Sequence, residues 1–374
     1  AYIGLRLIPG LGSAKRQLPA WLILLFFYLA LVTHLYLRIT GRITGFDVYL
    51  AWSGYLFMGL ASCLYLLVVS RDLVLILAWV SKKTAPFLKR SKPGCATDPG
   101  RRAFLMKASS AVIAGTGLTA AGTGLYLALK EPVVVPVTLT LPPHARGLAG
   151  LTLVQFSDLH AGPTIGFEFI QRVSTTIASL NPDIIVFTGD LADGSPEELS
   201  YALSSLSSLS APLGKFYITG NHEYYFGALR WIRHAETLGF TPLLNTHQVI
   251  SHNQSRLVMA GVTDMRASAM IPGHSSSPGA AFENAPDNSF RILLAHHPAS
   301  VYQADGLDVD LQLSGHTHGG QYLPFNLAVR MEHPFVKGLY RHNGTRVYVN
   351  QGTGYWGPPL RLGTEPEITR FTFC

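Results

Sequence analysis

Side chains able to hold a metal ion recur in five short blocks of this sequence. Asp158 and His160 stand one residue apart. Gly189-Asp190 is followed by Asp193, and Gly220-Asn221-His222-Glu223 comes next. His296-His297-Pro298 is the fourth block, and Gly315-His316-Thr317-His318-Gly319-Gly320 closes the series. Imidazole is the commonest protein metal ligand near neutral pH. The glycines of the last block allow turns that a Cβ forbids and a close backbone approach to a ligand. Singly, each block has an ordinary explanation: a surface turn for the histidine pair, a helix cap for Asp158, a turn residue for Asp190, a surface histidine for His296.

The elements in front of the blocks remove that ordinariness. Leu151–Phe156, Ile184–Thr188, Lys215–Thr219, Arg291–Ala295 and Asp310–Leu313 are apolar runs bounded by Gly and polar residues, the pattern of interior strands. Phe167–Leu180 and Glu197–Leu209 have helical spacing between them. Every strand therefore ends in metal-competent side chains. In open α/β sheets ligands collect outside the carboxyl ends of the strands, so the five loops are expected to converge on one place. Pro132–Leu141 alternates Val and Thr between prolines and reads as an extended arm.

Composition separates this region from what precedes it. The 374 residues carry a formal net charge of +7, with 48% hydrophobic and only 14% charged residues. Residues 1–130 hold 15 Lys and Arg against Asp47, Asp72 and Asp98, or +12, leaving −5 for the remainder. The positive charge thus lies beside apolar segments, which argues against nucleic acid as a partner. Three cysteines (Cys63, Cys95, Cys374) form neither a disulfide framework nor a thiolate metal site.

Leu18–Leu37 and Phe46–Val69 are long enough to span a bilayer as helices. Leu73–Val80 is too short to span alone, and either extends the second helix or lies at the interface. Residues 81–102 form a basic linker with Lys82, Lys83, Lys89, Arg90 and Lys92, and a third apolar run covers Ala108–Leu129. The expected helices lie at about 18–39, 46–70 and 104–129, within a membrane segment 1–131. Arg101-Arg102 followed by Phe104-Leu105 looks like a twin-arginine export signal; an ordinary third helix with a basic flank is the other reading. Basic segments stay in the cytoplasm. Arg6, Lys15 and Arg16 are therefore inside, Arg38 and Arg42 in an outer loop, and residues after 131 outside, in the periplasm of a Gram-negative cell.

The ordered blocks Asp-x-His, Gly-Asp-x-x-Asp, Gly-Asn-His-Glu, His-x-Pro and Gly-His-x-His resemble those of the calcineurin-like metallophosphoesterases, over about residues 150–374. The tail Gly352–Pro359 and the membrane front are similar to an envelope-associated bacterial subgroup. The resemblance implies an α/β catalytic domain at 132–374, a two-sheet sandwich with helices outside, preceded by an all-α transmembrane segment of about three helices. It implies two divalent cations, one held by Asp158, His160, Asp190 and His318, the other by Asp190, Asn221, His296 and His316. Asp190 would bridge them. Carboxylate and imidazole ligands suit Mn, Fe or Zn. A metal-bridging hydroxide would attack phosphorus in line, and His222 would stabilise the transition state or protonate the leaving oxygen. Only the resemblance selects His296 over His297. Asp193 is either an orienter of a ligand or a helix cap.

These features imply a membrane-integral phosphoesterase of the cell (inner) membrane, with its catalytic domain outside. It would cleave a phosphodiester, pyrophosphate or phosphomonoester, and diester or pyrophosphate is favoured on family analogy. A phosphorylated lipid or envelope component is the expected substrate. The competing classes are a non-enzymatic metal-binding or scaffold protein that keeps the fold, and a membrane sensor or transporter. The filled ligand positions disfavour the first. The near absence of ionisable groups inside the helices, His34 apart, disfavours the second. The loop Thr263–Phe290 is Pro/Gly/Ser-rich and is either a site-shaping entrance with Tyr355 and Trp356 or a solvated insertion.

Overall fold

A computed structural model describes residues 1–39, 45–88 and 98–374. The chain divides into two compact units, Ala1–Leu125 and Tyr126–Cys374. The first contains α1 (Tyr2–Leu7), α2 (Ala14–Ile39), α3 (Asp47–Leu88) and most of α4 (Pro99–Leu129). Three stretches, Ala14–Arg38, Asp47–Ser81 and Gly100–Leu129, are long and apolar enough to cross a membrane. Their large side chains face outward, with Phe26, Val74 and Leu77 more than half exposed.

Leu73–Val80 extends the second helix, since α3 runs for 42 residues without a break. At 1.5 Å per residue that is about 63 Å, roughly twice the hydrocarbon core of a bilayer. The charged pair Arg71-Asp72 does not end the helix because it is satisfied in place. Asp72 meets Arg71 Nη2 at 3.2 Å and Arg6 Nε at 2.8 Å, and accepts from Tyr2 Oη at 2.5 Å. The basic linker is accordingly shorter than expected. Ser81–Leu88 is helical, and Arg101 and Arg102 sit in the first turns of α4. Arg42, Lys89, Arg90, Lys92 and Cys95 lie outside the described residues.

The second unit runs β1 (Val133–Leu139), β2 (Thr152–Phe156), α5 (Phe167–Ser179), β3 (Ile184–Phe187), α6 (Pro196–Leu203), β4 (Lys215–Tyr217), α7 (Asn221–Phe226), α8 (Ala228–Thr237), β5 (Thr241–Pro242), β6 (Thr246–His252), β7 (Ser255–Gly261), α9 (Pro278–Ala281), β8 (Phe290–Leu294), β9 (Leu311–Ser314), α10 (Phe325–Glu332), β10 (Gly338–His342), β11 (Thr345–Val349) and β12 (Glu367–Phe373). Two six-stranded sheets result, in the orders β1-β12-β2-β3-β4-β5 and β10-β11-β9-β8-β7-β6. The centre of each is parallel: β2, β3, β4 and β5 in one, β7, β8, β9 and β11 in the other.

Strand periodicity builds the sandwich. Successive side chains point to opposite faces of a sheet, and both faces here are covered. Leu153, Ile184, Val186 and Phe216 meet Leu257, Met259, Ile292, Leu294 and Leu313 between the sheets. The alternate residues Val154, Phe156, Ile185, Phe187 and Tyr217 pack on the other side against Phe169, Ile170, Val173 and Trp231 of α5 and α8. Val258, Ala260 and Leu293 face a smaller core with Ala281 and Phe282. Burial on both faces explains why these strands read as unbroken apolar runs.

Three local expectations change. Pro132–Leu141 is no free arm: β1 pairs in parallel with β12 from Val133↔Glu367 to Leu139↔Phe373. Its edge position tolerates Pro136, which lacks an N–H. The helix expected over Glu197–Leu209 stops at Leu203 and continues as a 3-10 turn over Ser204–Ser208, where serine hydroxyls bond back to nearby carbonyls. The loop Thr263–Phe290 is folded down: Ala267 and Ile271 pack on Tyr224 and Ala228, and Thr263 Oγ1 donates to the His274 carbonyl at 3.0 Å.

Candidate metal centre

The turns after β2, β3 and β9 place their ligands by an unusual backbone. Asp158, His160, Asp190, His316 and His318 all have positive φ, between 50° and 71°. Non-glycine residues rarely hold that conformation, and where they do the strain is commonly functional. Gly189 (φ 93°) lets β3 turn against Gly220: a Cβ there would press on the Gly220 backbone and on His296. A Cβ on Gly315 would run into the Ser157 hydroxyl and the Asp158 carboxylate.

Glu223 ties two of the loops together. Its carboxylate accepts from the backbone N–H of Asp190 (3.1 Å), Leu191 (2.5 Å) and Gly220 (2.6 Å). Asp158 is fixed by the His316 N–H at 3.0 Å, and Asp190 Oδ1 by the His222 N–H at 2.9 Å. Arg361 is fully buried and donates to the carbonyls of Gln351 (2.9 Å), Gly352 (3.0 Å) and Gly354 (2.5 Å).

All five blocks meet. Ligand atoms of Asp158, His160 and His318 form one group, those of Asp190, His296 and His316 a second, and those of His160, Asp193 and His222 a third, each within 4.8 Å. His160 Nε2 lies 3.0 Å from His318 Nε2, and His296 Nε2 lies 3.2 Å from His316 Nδ1. Asp190 Oδ2 stands 3.2 Å from His296 Nε2 and 3.7 Å from His160 Nε2, between the first two groups.

The donor chemistry fits cations. His296 Nδ1–H donates to the Thr188 carbonyl at 2.7 Å, and His160 Nδ1–H to Asp193 Oδ1 at 3.0 Å. Each ring therefore turns a lone pair on Nε2 toward the centre, the tautomer that a ligating imidazole needs. Asn221 is buried, and its Oδ1 has no hydrogen-bond partner. A buried amide oxygen left so is costly without a partner, and an adjacent cation supplies one.

The family model of the calcineurin-like phosphoesterases matches residues 151–320. The metallophosphoesterase YkuE of Bacillus subtilis (strain 168) is 35% identical over 286 residues, covering 73% of this chain and 96% of that protein. This chain belongs to the calcineurin-like phosphoesterase family. It is also similar to proteins named transmembrane protein with metallophosphoesterase domain. The one from Danio rerio is 37% identical over 254 residues, covering 66% of this chain, and the one from Bos taurus 35% over 280 residues, covering 72%. The chain spans 58% and 63% of the length of these two relatives.

Within this site, burial and charge pull the acids and bases in opposite directions. Burial pushes the Asp158 carboxyl up. For Asp190 burial acts the same way but is outweighed by His296 and His222, leaving it well below the usual carboxylate range. Burial would lower His222, yet Asp190 and Asp193 raise it to about 9. Asp193, buried and facing His160 and His222, is held below the ordinary range. His316 and His318 are pushed well down by burial, with His297 and His296 adding to the first and His160 and Arg361 to the second. Burial and then Asp190 raise Glu223 to about 7.

Asp193 holds two imidazoles in place: its Oδ1 takes Nδ1–H from both His160 and His222, the latter at 2.5 Å. The helix-cap role falls instead to Ser195, one end of a capping box with Glu198. Tyr355 does not line an entrance, since it is buried and donates to the Thr164 carbonyl at 3.0 Å. Trp356 is exposed, with its ring 6.0 Å from that of His222, and Tyr225 lies 5.2 Å from the same ring. Sequence reasoning gave Glu223 no role although it stands inside a recognised block. It offered no signal for Arg361, whose acceptors are backbone carbonyls in a Gly/Pro-rich tail.

Proposed function

We propose that this chain is a membrane-anchored phosphoesterase that uses two divalent cations to hydrolyse a phosphodiester or pyrophosphate. The observation that carries this reading is the Asp190 carboxylate standing between two imidazole groups whose lone pairs face each other. Asp158, His160, Asp190 and His318 would hold one cation, and Asp190, Asn221, His296 and His316 the other. Asp190 could serve both because a carboxylate has two oxygens, and neutral Asn221 would limit the negative charge. Bound cations acidify water and draw charge from phosphoryl oxygens; Mn, Fe and Zn suit these ligands.

The chain's own groups do the rest. His222, raised to about 9, is an imidazolium near neutral pH: Asp193 holds its Nδ1–H, and its Nε2–H stands 3.9 Å from Asp190 Oδ2. From there it donates a proton to the leaving oxygen. Asp193 keeps His160 and His222 in register. Trp356 and Tyr225 beside His222 offer an apolar margin for a leaving group.

The three long apolar helices anchor the chain. The basic residues Arg6, Lys15, Arg16, Arg101, Arg102 and Lys107 keep their ends cytoplasmic, which puts the catalytic unit outside. A phosphorylated lipid or envelope component is then the accessible substrate class.

The test uses the full chain in detergent. A small aryl phosphodiester should be turned over with Mn present, turnover should vanish on chelation, and it should return with Mn. No turnover with Mn, Fe or Zn would leave a binding protein. Replacing residues 1–125 by a soluble tag should lower activity on a bilayer-presented phospholipid but not on the small diester. Equal retention on both would refute the lipid assignment.

A further inference from the structure

A second set of imidazoles stands beside the centre, and two of its three members, His297 and His333, take no part in it. His297 follows β8, His316 follows β9 and His333 follows α10, and their ligand atoms lie within 4.8 Å of one another. The His297 and His316 rings are 3.8 Å apart, those of His316 and His333 5.0 Å, and those of His297 and His333 6.4 Å. A carboxylate backs the set: Asp264, just beyond β7, brings Oδ2 to 3.0 Å from His297 Nε2.

That approach is the informative one. Asp264 is 1% exposed and His297 5%. Asp264 Oδ1 accepts the Arg266 N–H at 2.8 Å. Asp264 Oδ2 and His297 Nε2 are both buried without any hydrogen bond, including to each other. Two buried polar atoms left unpaired at hydrogen-bond range carry a desolvation cost. A cation between or beside them removes it, because both present lone pairs to it. An anion would not, because it would face the carboxylate.

We infer that His297 and His333 hold a further cation beside the proposed centre, with His316 as the shared wall and Asp264 as the carboxylate behind His297. Imidazole with one carboxylate selects a late first-row divalent ion such as zinc, and disfavours magnesium or calcium, which take oxygen ligands. His333 is the accessible member, at the C-terminal end of α10. Its neighbour Glu332 reaches Arg266 at 3.0 Å, which joins α10 to the segment carrying Asp264.

The test is zinc stoichiometry on the full chain in detergent, stripped with a chelator and equilibrated with zinc alone. The native protein should bind one zinc per chain more than His333→Ala, and Asp264→Asn should lose the same ion. Cobalt in place of zinc should give a visible absorption band that is absent in His333→Ala. Asp190→Ala, whatever it does to the proposed two-cation centre, should keep the ion that depends on His333. Equal zinc content and equal cobalt spectra in native and His333→Ala protein would overturn the site. So would loss of the His333-dependent ion in Asp190→Ala.

Discussion

The two units of this chain hide opposite things. In Ala1–Leu125, Leu22, Phe26, Val74 and Leu77 face outward, while His34 and Asp47 are fully buried. In Tyr126–Cys374 the large apolar residues are inside, among them Phe156, Phe187, Trp231, Phe290 and Phe371. Leaving one such side chain in water forgoes about 1.5–3 kcal/mol, so only the second unit has a surface suited to water. Their buried polar groups differ as well. In the first unit they pair locally between helices: His34 Nδ1 meets Asp47 at 2.8 Å and Nε2 meets Tyr55 at 3.3 Å, with Asp47 Oδ2 left over. In the second, carboxylates and imidazoles gather at strand ends with lone pairs facing each other. Unpaired buried atoms occur in both units; what sets the second apart is that so many carboxylates and imidazoles converge on one place.

The sharpest way to break this contrast is to move the strand-end turns. Gly315→Ala would drive a Cβ into Ser157 and Asp158 and displace the His316–His318 loop. A displacement of about 1 Å can cost 100-fold in rate. Turnover of the small diester should fall at least that far while the unfolding midpoint changes modestly. Asp193→Asn keeps the shape of the site but loses the charge that holds His160 and His222. Partners of this kind are worth about 10–100-fold in activity or metal affinity, and a drop in that range, with secondary structure intact by circular dichroism, is the expected result.

Arg361→Met tests burial that serves the fold. It leaves the carbonyls of Gln351, Gly352 and Gly354 without a donor, and the expected loss in denaturant unfolding of the second unit is about 1–3 kcal/mol for each one left unpaired. A smaller contrast appears with pH. In chelated protein the raised His222 stabilises fully below its unfolded value of about 6.5. That contribution is lost as pH rises through about 9. The lowered Asp193 contributes above about 4 and is lost as pH falls. Thermal stability of the chelated protein should therefore decline from about pH 6.5 to 9, and His222→Ala should flatten that slope. The smallest effect belongs to the first unit. Asp47→Asn should weaken the α2–α3 pairing by about 1–2 kcal/mol, read from thermal unfolding in micelles, and leave small-diester turnover unchanged.

How much of this was legible in the sequence depended on range. The centre was readable because each ligand block is contiguous and directly follows an apolar strand, so type, spacing and placement coincide within a few residues. The spanning helices were readable from composition alone. What escaped depends on distant partners. Whether Leu73–Val80 continued the second helix stayed open because Tyr2 and Arg6, which satisfy Asp72, lie about seventy residues away. The Val-Thr stretch at 133–139 looked like an arm because its partner strand is the last in the chain. His333 and Asp264 carry no motif, and only the fold brings them to His297.

The central claim is that one carboxylate, Asp190, serves two cations at once. Metal content per chain in Asp190→Ala against native full-length protein tests it directly. The predicted result is a loss of two cations per chain together with all turnover of the small diester. Loss of one cation or none, with turnover retained, would contradict it.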